Sequence, residues 1–271
     1  MNRVALVQMV SGADPDINLR QAEEGIGIAK GQGAHLVILP ENFLLFDSAN
    51  LIKYAHSEQA DQALKRLTAV AKYHSIWVVA GSFPAPAPNG RAFARSIVIN
   101  DSGAIVSQYD KRHLFDVDVA DAKGSYRESD WIAPGDALSV VNTPIGDLGL
   151  SICYDLRFPI HFQRLRDAGA QLISVPSAFT QVTGAAHWEI LLRARAIETQ
   201  CYLIGAGQAG DHGNGRFTYG HSLILDPWGE IIASAKPQGF DVISAEVDLV
   251  RLQQIRQRMP VSRQRRDQTA T

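Results

Sequence analysis

The sequence predicts an α/β fold with mixed sheets, on three observations. Short apolar runs of strand length alternate with segments of helical periodicity over most of the chain. Two strand pairs flank tight-turn sequences, so part of the pairing is antiparallel. The composition, 46% hydrophobic and 20% charged over 271 residues, is that of an ordinary globular chain with a sizeable core. It excludes disorder, collagen and coiled coil as whole-chain descriptions.

The elements follow in order. Residues 4–10 are rich in Val and read as a first strand. Residues 17–28 carry helical spacing behind Asp14-Pro15-Asp16, a helix start. Residues 36–39, bounded by Gly33 and Pro40, are a short buried strand, and 51–73 are one helix. A strand over 76–80 leads into Pro-rich 83–90, read as a loop. Residues 93–100 and 104–109 form a hairpin around Asp101-Ser102-Gly103. A turn at 146–149 opens the strand 148–153, followed by a helix over 161–168 and a strand over 172–175. A helix at 188–200 and a strand at 202–206 come next. A second hairpin, 222–225 with 230–233, turns on Asp226-Pro227-Trp228-Gly229, and a strand at 242–247 closes the set. With no repeat or linker in view, residues 1–271 are expected to form a single domain. Its tail, 251–271, holds six Arg against one Asp and reads as an arm packed on the body or on a partner subunit.

Charge and cysteine content narrow the function classes. A formal net charge of −2 gives no global field for nucleic acid or anionic lipid. No stretch approaches the roughly 18 apolar residues of a membrane helix, and the first ten residues lack the pattern of a signal peptide. Two cysteines in apolar surroundings are no disulfide scaffold and fit a reducing cytoplasm. The eight His show no zinc spacing, so no metal is expected. Gly25-Ile-Gly-Ile-Ala-Lys-Gly31 lies within a helical pattern and lacks the strand-to-helix setting of a dinucleotide loop. Trp188 and Trp228 read as core or interface packing rather than a ligand cage, His187 and His221 as structural histidines.

Cys153 is the first candidate for chemistry. It ends an apolar run, and Tyr154-Asp-Leu-Arg-Phe-Pro159 turns the chain away, so the thiol projects from a strand end and the following backbone N–H groups face an oxyanion. A lone Cys is more often a small buried hydrophobe; as a nucleophile it needs a base and a positive neighbour. Glu41, just past the strand 36–39, and Lys111, just past the strand 104–109, supply one each. Taken singly, these two make an ordinary ion pair. Arg157 falls four residues after Cys153, where its guanidinium either faces a substrate carboxylate or pairs with Asp155.

Pro40-Glu41-Asn42-Phe43, Lys111-Arg-His-Leu-Phe115 and Cys153-Tyr-Asp-Leu-Arg-Phe-Pro159 resemble, in order, the three signature segments of the nitrilase superfamily of carbon–nitrogen hydrolases. Their key residues lie 70 and then 42 positions apart. The resemblance implies a four-layer α-β-β-α sandwich and pairing into a homodimer or larger even assembly. It implies Glu41 as general base, Lys111 as oxyanion stabiliser, Cys153 as nucleophile, and Glu128 as a second acid that places the lysine and the substrate. Pro176-Ser-Ala-Phe179, Thr183-Gly-Ala-Ala-His-Trp-Glu189 and Tyr219-Gly-His-Ser222 resemble the branch of deaminated glutathione amidases and omega-amidases. The run from Leu191 to Tyr202 lies nearer the former. Tyr154, Arg157, Phe179 and Thr183 are then the expected substrate-binding residues. The resemblance implies an amidase that acts, through a cysteine thioester and with no cofactor, on a small carboxylate-bearing amide: deaminated glutathione, giving 2-oxoglutarate and cysteinylglycine, or alternatively an omega-amide such as 2-oxoglutaramate. A non-catalytic metabolite- or partner-binding member of the same fold is the alternative from another class. The loop 210–216 varies among relatives in length and composition.

Overall fold

A computed structural model describes residues 2–121, 124–213 and 215–266. The chain runs β1 (Arg3–Gln8), α1 (Pro15–Gly31), β2 (Leu36–Ile38), α2 (Leu51–Ala55), α3 (Glu58–His74), β3 (Trp77–Pro86), β4 (Ala92–Ile99) and β5 (Ile105–Asp110). It continues through β6 (Asp116–Asp118), β7 (Ser125–Arg127), β8 (Val140–Thr143), β9 (Gly146–Leu150), α4 (Pro159–Asp167), β10 (Leu172–Ser174), α5 (Gln181–Thr199) and β11 (Tyr202–Gly205). The last elements are β12 (Ala209–Asp211), β13 (Phe217–Tyr219), β14 (Leu223–Leu225), β15 (Ile231–Ser234), β16 (Asp241–Glu246), α6 (Leu249–Arg258) and α7 (Val261–Gln264).

Two six-stranded mixed sheets carry the structure, in the orders β16-β1-β2-β3-β4-β5 and β15-β14-β11-β10-β9-β8. Strand alternation sorts the first sheet's side chains onto two faces. Val4, Leu6, Leu36 and Ile38 join one buried cluster with Leu148, Leu150 and Leu172 of the second sheet. Ala5, Val7 and Val37 turn the other way and pack with Leu19, Ile26 and Leu67 of α1 and α3. Phe162 and Leu165 of α4, with Trp188 and Leu192 of α5, cover the second sheet. The layers are therefore α-β-β-α. No helix among the described residues is long and apolar enough to cross a membrane.

The structure departs from the sequence reading where a side chain or a neighbour decides. The 51–73 segment is two helices, because the Ser57 hydroxyl accepts from Ala60 N and caps a new start at Glu58. The Pro-rich segment is not a loop: β3 runs on to Pro86. β2 pairs with β3 only over Leu36–Ile38, so Pro84 and Pro86 lie where β3 has β4 alone beside it and the missing N–H is tolerated. The glycines at 146 and 149 lie within β9, and α5 starts at Gln181, where Thr180 accepts from Thr183 N. The C-terminal arm packs on its own chain through buried Leu252. Arg251 pairs with Asp226 at 2.7 Å, and Arg256 donates to the Ala170 carbonyl at 2.9 Å. The last part of the arm, 267–271, lies outside the described residues.

Candidate active site

Three strand ends deliver the three candidate chemical groups. Past β9 the backbone of Cys153 enters the left-handed region at φ 44° and opens a short 3₁₀ turn, Cys153–Arg157. For a side-chain-bearing residue that conformation costs about 1–3 kcal/mol and survives only where its surroundings impose it. Here the Cys153 N–H donates to the Pro176 carbonyl at 2.8 Å. Asp155, wholly buried, ties the turn to the end of β5. Its Oδ2 accepts from Ile152 N at 2.8 Å and from the Tyr109 hydroxyl at 2.6 Å, and its Oδ1 accepts from His113 N at 3.1 Å and lies 2.6 Å from His113 Nδ1.

Glu41 follows β2. Its carbonyl accepts from Gln208 Nε2 at 3.0 Å, and the next residue, Asn42 at φ 53°, donates its N–H to Ser82 Oγ at 2.8 Å. This loop fits against β3 because residue 81 is glycine: a Cβ there would stand 2.0 Å from the Pro40 carbonyl oxygen. Lys111 follows β5 and donates its N–H to the Ala94 carbonyl at 3.0 Å. Its Nζ donates to Glu41 Oε1 at 2.8 Å and to Glu128 Oε1 and Oε2 at 2.9 and 2.8 Å. Glu128 Oε2 also accepts from Phe115 N at 2.7 Å. Lys111 is 1% exposed and Glu41 4%, so these charges face one another rather than water.

The electrostatics follow from that burial. Desolvation alone would lower the Lys111 pKa, but the charges of Glu128 and Glu41 outweigh it and hold the ammonium well above its ordinary value. Burial pushes the Glu128 carboxyl up, and the charge of Glu41 adds to the effect. Burial also raises the Cys153 thiol well above its usual value, with the Glu41 charge behind it. Lys111 and a hydrogen bond from the Ala178 backbone pull the other way without prevailing. The positive neighbour alone therefore does not bring the thiol down toward a thiolate.

One cavity is lined by every residue singled out from the sequence: Glu41, Lys111, Glu128, Cys153, Tyr154, Arg157, Phe179 and Thr183. Arg157 faces it, 5.7 Å from the Tyr154 ring and 5.3 Å from the Phe179 ring, with Nη1 3.2 Å from His187 Nδ1. The pairing with Asp155 does not occur, because Asp155 is occupied by Tyr109, His113 and Ile152 N. Thr183 Oγ1 lies 2.9 Å from Thr180 Oγ1 at the start of α5. Among the described residues no group of three or more His, Cys, Asp or Glu is placed to hold a metal ion.

Sequence reasoning missed Asp155 as the link between two loops, and Gly81 as the residue that admits the Glu41 loop. It also missed Arg216, which lines the cavity with its guanidinium 4.5 Å from the Phe46 ring and 5.8 Å from the Tyr126 ring. The Cys-Tyr-Asp string was a signal for the first. Nothing local signals the other two, since each depends on a segment remote in sequence.

Comparison with known proteins places this architecture. The carbon–nitrogen hydrolase profile matches residues 3–257. The chain is 43% identical over 261 residues to a deaminated glutathione amidase of Yersinia enterocolitica, covering 95% of this chain and 91% of that protein. Among solved structures, the C. elegans NitFhit protein superposes with a TM-score of 0.92 at 38% identity, covering 100% of this chain and 66% of that longer one. Saccharomyces cerevisiae Nit3, described as a member of branch 10 of the nitrilase superfamily, superposes with a TM-score of 0.86 at 32% identity, covering 98% of this chain and 96% of that one. The chain belongs to the carbon–nitrogen hydrolase family, within the nitrilase superfamily.

Proposed function

We propose that this enzyme is an amidase that cleaves deaminated glutathione to 2-oxoglutarate and cysteinylglycine through a thioester on Cys153. The observation that carries the reading is the convergence of Glu41, Lys111 and Cys153 on one cavity that also holds the Arg157 guanidinium. The name of the Yersinia relative supports the choice of substrate.

Each step falls to a named group. Glu41 takes the thiol proton as Cys153 Sγ bonds to the amide carbon, which fits a thiol whose pKa burial raises. The oxyanion meets Lys111 Nζ and the Tyr154 N–H. Proton transfer neutralises Glu41, so the ammonium that faced it turns toward the oxyanion while Glu128 keeps hold of it. Collapse breaks the C–N bond, and Glu41 returns the proton to the leaving amine. Water then attacks the thioester, with Glu41 taking a proton from it, and the acid leaves as the thiol re-forms. Arg157 holds the carboxylate of the 2-oxo acid as a two-pronged donor, and Tyr154, Phe179 and Thr183 shape the space around it.

The protein acts as a homodimer, supported by Ile160 of α4 and Ile190 and Ile197 of α5, which expose apolar side chains at 62%, 69% and 52%. A reducing cytoplasm suits its two free cysteines. Wild-type enzyme is expected to release 2-oxoglutarate from deaminated glutathione and to show an acyl mass adduct on Cys153. Cys153→Ala should lose turnover by several decades, and near wild-type activity in that variant would sink the mechanism.

A further inference from the structure

We propose that Arg216 binds the carboxylate at the far end of the peptide leaving group, so that the cavity recognises its substrate by two carboxylates on opposite sides of the scissile bond. The inference rests on the proposed amidase reading and adds a subsite to it.

Arg216 is set in place by the short hairpin β12–β13. The His212 N–H donates to the Arg216 carbonyl at 2.9 Å, and the Arg216 N–H donates to the Gly213 carbonyl at 3.1 Å. The hairpin is fastened to the Glu41 side of the cavity. His212 Nδ1 lies 2.7 Å from the Ser11 carbonyl, its ring stacks on Phe46 at 3.8 Å, and its Nε2 lies 2.6 Å from Thr218 Oγ1. What surrounds the guanidinium is aromatic: the rings of Phe46 and Tyr126. No carboxylate among the described residues forms an ion pair with it. Asp47, on the same wall, instead accepts from Asn50 Nδ2 at 2.6 Å and from Ala49 N at 3.0 Å. A half-buried guanidinium held over ring faces, with no hydrogen bond from it to a side chain or backbone group among the described residues, is a recognition element for an anionic, planar group.

The side of the cavity identifies which end of the substrate it meets. Cys153 attacks the carbonyl carbon, and Arg157 stands one turn further along the same 3₁₀ segment. That places Arg157 with the acyl portion. Glu41 must deliver a proton to the departing nitrogen, so the amine portion lies toward Glu41. Phe46, five residues past Glu41, carries the Arg216 guanidinium. A dipeptide amine leaving in that direction brings its terminal carboxylate to Arg216, whereas ammonia brings nothing there.

The test uses three amides with one acyl group: 2-oxoglutaramate, deaminated glutathione, and deaminated glutathione with its terminal carboxylate converted to a carboxamide. A charge-assisted hydrogen-bonded contact gives roughly 10- to 100-fold in kcat/KM. Wild-type enzyme should prefer deaminated glutathione over its carboxamide by that factor. Arg216→Met should lower the kcat/KM ratio of deaminated glutathione over 2-oxoglutaramate by the same factor and cause no further loss on the carboxamide. The wild-type comparison stands even if the variant fails to fold. Indifference of the wild type to the carboxamide, or an equal loss in Arg216→Met on all three amides, overturns the subsite while leaving the amidase reading intact. A wild type that turns over none of the three overturns that reading and the subsite with it.

Discussion

Two buried acid clusters lie within a few residues of each other in this molecule and are built on opposite principles. Asp155 is surrounded by donors. Burial would raise its pKa, but the contacts from His113, Tyr109 and Ile152 N prevail and hold the carboxylate below its ordinary value. Around Lys111, by contrast, two carboxylates face one ammonium, and burial raises the Glu128 carboxyl. The first cluster has every charge answered and fixes two loops. The second sets two carboxyl groups against one ammonium, beside a thiol whose pKa burial raises. A satisfied network rigidifies its surroundings, whereas perturbed ionisable groups gathered in a cavity mark a candidate for chemistry. The contrast separates the residue that holds the two loops together from the residues to which the proposed mechanism gives chemistry.

The largest effect that tests this contrast comes from Lys111→Met. It removes the only cation between Glu41 and Glu128 recorded among the described ion pairs and leaves two carboxylates facing each other in a buried cavity. On the proposed mechanism an oxyanion donor is lost with it, so turnover should fall by about 10²–10³ or more. Breaking a buried pair this way should cost about 3–5 kcal/mol of stability. Steady-state rates with urea unfolding at neutral pH measure both, and turnover within tenfold of wild type would remove Lys111 from the reaction.

Asp155→Asn should do less to turnover and still lower stability by about 3 kcal/mol, because an amide offers one acceptor where two oxygens served four donors. The sign of its pH dependence is fixed by the lowered native pKa. The stabilisation is present above the unfolded value of about 3.9 and is lost as pH falls through the native value. The stability gap between wild type and Asp155→Asn should therefore narrow on acidification below about pH 4. A gap that stays constant would mean Asp155 contributes shape and no charge.

What the sequence made legible follows the same division. The strand ends that carry Glu41, Lys111 and Cys153 were readable because Glu41 follows an apolar run broken by Pro40, Lys111 follows the second strand of a hairpin, and Cys153 ends an apolar run at a polar turn. The two hairpins at 101–103 and 226–229 were readable from local turn chemistry. The layer order came through resemblance alone, because short apolar runs do not say which faces meet. Gly81 and Arg216 were not legible. Gly81 matters through a carbonyl forty-one residues upstream in the chain, at Pro40, and Arg216 through rings at 46 and 126. The helix 51–73 was misread because Ser57 is a weak interruption until its hydroxyl is seen capping the next helix.

The smallest effect concerns a third way of burying an ionisable group, as a neutral one. His212 sits between the Ser11 carbonyl and the Thr218 hydroxyl, stacked on Phe46. Desolvation lowers its pKa to about 4. The native state therefore disfavours the imidazolium, and the stabilisation is present above the unfolded value of about 6.5. It declines as pH falls from there and is gone below the native value of about 4. His212→Asn keeps a polar ring-edge substitute and cannot take up that proton. The stability difference between wild type and His212→Asn should shrink by about 1 kcal/mol or more between pH 7 and pH 4, read from urea midpoints at each pH. The window is distinct from that of Asp155, whose loss begins only near the lower end of it. If the His212 difference instead held steady down to pH 4 and fell only below, the hairpin that carries Arg216 would be held by packing on Phe46, and the neutral imidazole would add nothing that titrates.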